Sequence, residues 1–424
     1  MTVEHTQPDQ PQSLAAPPRR RWRWYHTVIL VVSFLIITHY LWRTSLERAI
    51  SAEIESLRAQ CLPTTPAELE AAYTAVHADL NAALVYLDAF KLMDEIEGGI
   101  ELPIVGNGSL PNGTTPIRPE SHQIIERYIA LNSDALQQLY AAAALPQSRY
   151  PIDLTTNAPL DVDTPLNQIR EAARLLRLNA ALHAENNRLD LAAQSIHAML
   201  RLAASLDNEP LLIAQTVRAV ITNEALAELH RLSARTTFPD PSLKLLIDDL
   251  LHLDSTPSIH NALLGERLIS THWLDQPPTA GGIVKSLQPP GWKLWRLSGL
   301  HPAERAEHLT MIAELEAATQ LPIEQQQPAI NTILATYAQR PIYYLHIIED
   351  YTWSTPRLLD KITLATATRR LWIARLAAER YRLAHNQPPT DINQLTPTYL
   401  PAPPINPATG QPYPAADITM DHPE

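Results

Sequence analysis

Along most of this chain apolar residues recur at spacings of three and four, the period of a helix that buries one face. The first apolar segment is different, because it is almost continuous: Val28 through Ile37, extended by Tyr40, Leu41 and Trp42. Read as helix, residues 25–42 extend about 27 Å at about 1.5 Å per residue, close to the roughly 30 Å of a bilayer's hydrocarbon core. The pattern then becomes amphipathic, with Leu46, Ile50, Ile54 and Leu57 spaced by four, four and three, which predicts a stalk helix over 44–60. Pro63 and Pro66 end it, and an alanine-rich helix is expected over Ala67–Glu97. Gly98–Pro119 has little periodicity and reads as a long loop. Helix returns over Glu120–Leu145, followed by a Pro-rich stretch from Pro146 to Pro165.

The middle is the best-patterned part. Ile169, Ala173, Leu176, Ala180 and His183 form one stripe and Ala172, Leu175 and Leu182 a second, so this helix has partners on two sides. Asn186-Asn187 interrupts it. A second helix follows over Asp190–Ser205 with Ala192, Ile196, Met199 and Ala203 in register. A third runs from Leu211 to Ala234 through Val217, Ile221, Ala225, Leu229 and Leu232. Further helices are expected near 240–254, 257–274, 303–319 and 326–350, with a loop over Gln276–Pro302 and a long helix over Pro356–Ala384. The predicted class is all-α: one N-terminal transmembrane helix followed by a repeat-like stack of α-hairpins joined by Pro-rich loops. The predicted divisions are a disordered cytoplasmic tail over 1–24, the transmembrane helix over 25–42, a stalk and N-terminal helical subdomain over 43–145, the helical array over 166–386, and a Pro-rich C-terminal cap and tail over 387–424.

Two stretches carry resemblances. Ala172–Leu206, with small residues at Ala181, Ala192 and Ala193 and a polar turn at Asn186-Asn187, resembles a single tetratricopeptide-type unit, without self-similarity at a period near 34 residues elsewhere. The last 45 or so residues run from Glu379-Arg380-Tyr381 through Pro388-Pro389, Leu395, Tyr399-Leu400-Pro401 and Thr409-Gly410-Gln411-Pro412-Tyr413. That ending resembles the stretch after the long helix of type II secretion pseudopilins, and the endings of many signal-anchored helical proteins of bacteria. No Gly-Phe-Thr-Leu-x-Glu processing motif precedes the apolar run, so the resemblance implies a shared local fold and a bacterial envelope setting.

Charge sets the orientation. Arg19, Arg20, Arg21 and Arg23 all lie on the N-terminal side of the apolar run, and Trp22, Trp24, Tyr25, Tyr40 and Trp42 flank its two ends. This predicts a single-pass protein of the cytoplasmic membrane, touching the bilayer through 25–42, with its N-terminus in the cytoplasm and its body exported. Ala49-Ile50-Ser51 has the small-residue character of a signal-peptide cleavage site, but Arg43, Glu47 and Arg48 separate it from the apolar run. The formal net charge is −12 over 424 residues. The first 42 residues hold a local +2, four arginines against Glu4 and Asp9, which leaves −14 for the remainder. An acidic body repels phosphate backbones, so no nucleic-acid partner is expected. Glycine is scarce at 11 and proline abundant at 37, as suits helices separated by rigid turns. Cys61 is the only cysteine, so no intrachain disulfide can form.

Site chemistry is sparse. Thr279–Ser286 has Gly281, Gly282, Lys285 and Ser286, but Val284 stands where a phosphate-binding loop needs glycine. Gly106 and Gly108 lack the third glycine of a dinucleotide fingerprint, which Pro111 replaces. His301, Glu304 and His308 fit neither zinc-protease spacing and read as a solvated helix end. His183, His197, His230, His252 and His272 stand singly on helices and read as core or surface histidines. Asp248-Asp249 and Glu349-Asp350 are sequence neighbours, about 100° apart on a helix, and read as surface charge. No catalytic, cofactor or metal residue is assigned and no cofactor is expected. The candidate interface is the Trp/basic cluster Trp273, Trp292, Lys293, Trp295 and Arg296, which could rest on a membrane interface, grip a partner or pack beneath its loop.

These features favour a membrane-tethered extracytoplasmic interaction or scaffold module of the bacterial envelope, with another envelope protein as partner. Two alternatives stay open: a hydrolase-type envelope enzyme whose site assembles only in the fold, and an accessory subunit of a secretion system. The anchor reading predicts that mass spectrometry of the mature protein recovers peptides from ahead of Trp24. An N-terminus beginning after residue 50 would replace the anchor with a cleaved signal.

Overall fold

A computed structural model describes residues 24–73, 75–94, 102–152, 163–255, 258–275, 298, 300–339 and 347–420. Among them the regular secondary structure is entirely helical. Helix α1 (Trp24–Ala59) is unbroken from the apolar run into the stalk. None of its most apolar window is covered by the rest of the chain, and it is long and apolar enough to cross a membrane. Its second half behaves differently. Ile50 and Leu57 are buried and Leu46 and Ile54 half-buried, so the predicted stripe is the face that packs on α11 (Leu300–Ala318). Burying one such aliphatic side chain contributes about 1.5–3 kcal/mol.

The stalk ends in a left-handed turn. The Leu62 amide donates to the Leu57 carbonyl and the Cys61 amide to the Arg58 carbonyl, with Cys61 at φ 57°. Six-to-one and five-to-two bonds of this kind satisfy helix-end carbonyls. Just beyond, the buried Arg267 of α10 (Ser258–Asp275) donates to the Pro63 carbonyl at 3.2 Å while its Nη1 forks onto both oxygens of Glu316 on α11 at 2.7 Å. One guanidinium thus ties the stalk's end to two body helices.

Ala67–Glu97 is not one helix. It divides into α2 (Pro66–Ala72), a 3-10 turn (Ala78–Leu80) and α3 (Ala82–Lys91), with residues 95–97 outside the described set. Asn81 makes the break: its Oδ1 accepts from the Ala83 and Arg149 amides and its Nδ2 donates to the Arg149 carbonyl. The expected Glu120–Leu145 helix likewise splits into α4 (Pro119–Leu131) and α5 (Ser133–Ala143) at the buried Asn132. Asn132 accepts from the Asp94 amide and donates to the carbonyls of Asp94 and Tyr128. Side-chain amides that serve the backbone in this way compete with the helical ladder.

The array follows its periodicity: α6 (Asp163–Glu185), α7 (Leu189–Ala204), α8 (Leu212–Ser233), α9 (Asp240–Ser255), α10 and α11. Asn187 closes α6 at φ 57° in the same left-handed turn as Cys61, with the Arg188 amide reaching the His183 carbonyl. The 326–350 helix is shorter than expected: α12 spans Ile323–Ala338 and residues 340–346 lie outside the described set. Helix α13 (Ile347–His385) begins earlier than expected and packs on α8 and α9. Most apolar side chains of α3 to α9 and of the second half of α13 form one continuous core, and α10 to α12 with the first half of α13 build a second. Gly265 lets these regions meet, since a Cβ there would lie 1.8 Å from the Pro210 carbonyl oxygen.

Short turns build the C-terminal cap. Asp391 caps a 3-10 turn (Ile392–Leu395) that buries Ile392 and Leu395, and Asn406, Thr409 and Gly410 form a turn with Gly410 at φ 66°. A short α14 (Ala415–Ile418) then packs on α13. Asp254, at the end of α9, receives Arg369 at 2.9 Å and Arg370 at 3.0 Å, both from α13. Burial raises the Asp254 value, but the two arginines outweigh it and hold the carboxyl below its usual range. Replacing Asp254 by alanine leaves two largely buried guanidinium groups without a counterion. The expected loss is about 3–5 kcal/mol, read by urea unfolding of the full-length protein in detergent. A loss under about 1 kcal/mol would show that this pair is not what fixes α13.

Candidate functional site

A cleft of about 360 Å³ opens where the end of α7 and its following turn meet the α2–α3 connection, α3 and the chain after α5. Five of its lining residues carry its chemistry: Tyr86 on α3, Ser148 after α5, Arg201 on α7, Asp207 on the turn and His252 on α9. The end of α7 and the turn after it place two of them. Arg201 lies on the last turn of α7, and the turn over Ser205–Glu209 is closed by successive backbone bonds, the Asp207 amide to the Ala204 carbonyl and the Glu209 amide to the Leu206 carbonyl.

Asp207 is buried and meets two side chains: Arg218 Nε lies 2.6 Å from Oδ1 and His252 Nε2 lies 3.1 Å from Oδ2. Arg218 also donates to the Leu253 carbonyl at 2.9 Å. Arg201 is held differently. Its Nε and Nη2 donate to the carbonyls of Ala143 and Leu145 at 3.2 and 2.8 Å, capping the end of α5. Among the described residues no carboxylate pairs with it.

Tyr86 is 1% exposed, and its hydroxyl has no protein hydrogen-bond partner. Burial pushes its phenol well above the ordinary value, and the nearby Arg201 charge offsets only part of this. The Ser148 hydroxyl is also buried without a partner. Each such group costs about 1–3 kcal/mol unless something polar reaches it.

Beneath this layer lies a second buried network. The Tyr73 hydroxyl donates to Glu209, and the Arg149 guanidinium stacks over the Tyr73 ring, donates to the Tyr73 carbonyl and pairs with Glu70. Burial raises the Glu209 carboxyl to about 7, opposed by the Tyr73 bond, the Tyr150 backbone bond and the Arg149 charge. On the neighbouring wall His197 meets Asp249 at 2.6 Å. Burial raises the Asp249 carboxyl and the contact with His197 offsets part of that rise.

Two expectations are corrected. Asp249 is buried against His197, whereas Asp248 is surface charge paired with Lys244; the side chains of Glu349 and Asp350 lie outside the described set. Glu304 and His308 are not at a solvated helix end, since both are fully buried on α11, which packs against α1, α10 and α12. Burial pushes the His308 imidazole down to about 4. Among the described residues no three metal-ligating side chains converge. Trp292, Lys293, Trp295 and Arg296 lie outside the described residues, as does the Thr279–Ser286 segment, and of Trp273 only the backbone within α10 is described. Of the cleft residues, the sequence pattern singled out His252 alone. Asp207 left only a weak sign, an acid two residues before Glu209, and Tyr86, Ser148 and Arg201 left none.

Comparison with known proteins leaves this geometry to stand by itself: no family model, curated protein or solved structure matches the chain.

Glu209 makes the fold pH-sensitive in a definite direction. Its folded value, about 7, lies above the ordinary glutamate value of 4.5, so the native state holds the proton more tightly than the unfolded chain. Its contribution is complete below pH ~4.5 and is lost as pH rises through 7. Glu209→Gln should therefore raise stability at pH 8 by on the order of 2–3 kcal/mol and change it little at pH 4.5, read by denaturant midpoints at the two pH values. Equal effects at both would remove Glu209 from the pH dependence.

Proposed function

We propose that the protein is a membrane-tethered binding module of the bacterial envelope, which holds its cleft at a set position over the membrane surface for an envelope protein partner. The observation that carries this reading is the continuity of α1. Its apolar half is uncovered and its stalk half is packed on α11 and closed by the Arg267 bond to Pro63. A freely jointed anchor would need none of these contacts. The arginine cluster at 19–23 supports a cytoplasmic N-terminus and an exported body. The cleft chemistry also favours binding, because Asp207 is shared between Arg218 and His252, and Arg201 caps α5.

A hydrolase-type envelope enzyme is the second reading, and its specific support is that Ser148 shares the cleft with the Asp207–His252 pair. The Trp/basic cluster at 273–296 is a further proposed contact, with the membrane surface or the same partner.

The test is photo-crosslinking in the native membrane from Asn208, an exposed residue on the cleft, with the exposed Asn331 of α12 as control. We expect one envelope protein to be captured from 208 and not from 331, with the body inaccessible to protease added on the cytoplasmic side. A protease-accessible body on that side, or identical capture from both positions, overturns the module.

A further inference from the structure

The buried arginines of this body follow a rule to which the cleft is an exception. Arg218, Arg231, Arg267 and Arg369 each meet a carboxylate, of Asp207, Glu228, Glu316 and Asp254 respectively. Arg201, half-buried in the cleft wall, donates to two carbonyls and lies within electrostatic reach of Asp249, but among the described residues no carboxylate forms an ion pair with it. The same cavity is lined by Tyr86 and Ser148, whose buried hydroxyls have no protein partner. One guanidinium without a paired carboxylate and two hydroxyls without a protein partner thus border a single space.

We propose that this cleft is a carboxylate-binding site, with Arg201 supplying the charge and Tyr86 and Ser148 neutral donors. The inference rests on the cleft being the module's binding surface and names the chemistry of its occupant. A neutral ligand would leave the guanidinium without an ion pair, and a phosphate dianion would carry more charge than one guanidinium supplies. A carboxylate matches that charge, and its two oxygens match the N–H fork of a guanidinium. A volume of about 360 Å³ is at the small end of the range for ligand sites, roughly 300–1,000 Å³. It suits a small organic acid or the last residues of a peptide chain ending in a free carboxylate. The charge of Asp207 is offset by Arg218 at 2.6 Å, and Asp249, the other acid near Arg201, is in contact with His197.

The experiment is isothermal titration calorimetry on the full-length protein in detergent micelles. The probes are acetate, succinate, the tripeptide Ala-Ala-Ala with a free C-terminus, and its C-terminal amide. The free-acid tripeptide should bind saturably and at least tenfold more tightly than the amide. Succinate or acetate binding as tightly as the tripeptide would identify a small acid as the source, and binding of the tripeptide alone would identify a peptide terminus. Tyr86→Phe and Ser148→Ala should each weaken binding about fivefold or more while leaving the melting temperature of the free protein unchanged or raised. A hydroxyl serving only the fold would lower it. Arg201→Lys, which keeps the charge and loses the fork, should weaken binding at least tenfold. Absence of saturable binding by any acid overturns the site, as does equal affinity for the amide or indifference to all three substitutions. If crosslinking from Asn208 persists in that case, the module stands and only the carboxylate assignment falls.

Discussion

Charges on a helix that is covered on almost every side have to be neutralised from within. Helix α8 buries Arg218, Glu228 and Arg231 along with Gln215, Thr216 and Thr222. An ion removed from water without a partner costs several kcal/mol, so each charge dictates where a neighbour must stand. Arg218 fixes the turn after α7 through Asp207. Glu228 receives Arg177 of α6 at 3.2 Å and Arg231 of its own helix. The threonines return their hydroxyls to the carbonyls four residues back. The placement of α6, of α9 and of the cleft wall follows from these demands as much as from apolar packing, which has no direction.

What could be read from the residues was the one-sided part of the fold. The stripe Leu46, Ile50, Ile54 and Leu57 is the face that meets α11, and α6 and α7 begin and end within a few residues of where their periodicity places them. Asp391 starts its turn as its type predicts. Periodicity failed wherever a single polar side chain outbid the helical ladder, at Asn81 and Asn132, because neither differs in pattern from an asparagine on a solvated helix face. It failed again where coverage came from a distant segment. Glu304 and His308 look like a wet helix end until α1 and α10 lie over them. The cleft was illegible for the same reason: Tyr86, Ser148, Arg201, Asp207 and His252 come from three helices and two connections and share no spacing.

Scarce glycine shaped the local solutions. Left-handed helix ends usually fall to glycine, because a Cβ there costs roughly 1–2 kcal/mol. Here Asn187, Asn386 and Cys61 occupy such positions, and two glycines are kept for places where helix meets backbone. A Cβ at Gly265 would strike the Pro210 carbonyl and one at Gly113 the Arg231 carbonyl, at 1.8 and 1.9 Å. Both contacts tether an irregular segment to a core helix, which lets long proline-rich connections pack without strands.

The unbroken course of α1 also carries a phase. A helix advances about 100° and 1.5 Å with each residue, and no joint separates the uncovered apolar half from the half clasped by α11. Under the proposed anchoring, inserting or deleting one residue near Thr44 would leave every contact of the body intact and yet turn the cleft by about a quarter of a circle around the stalk. The direction in which the body faces its neighbours would then be an angular quantity counted in residues, adjustable independently of affinity.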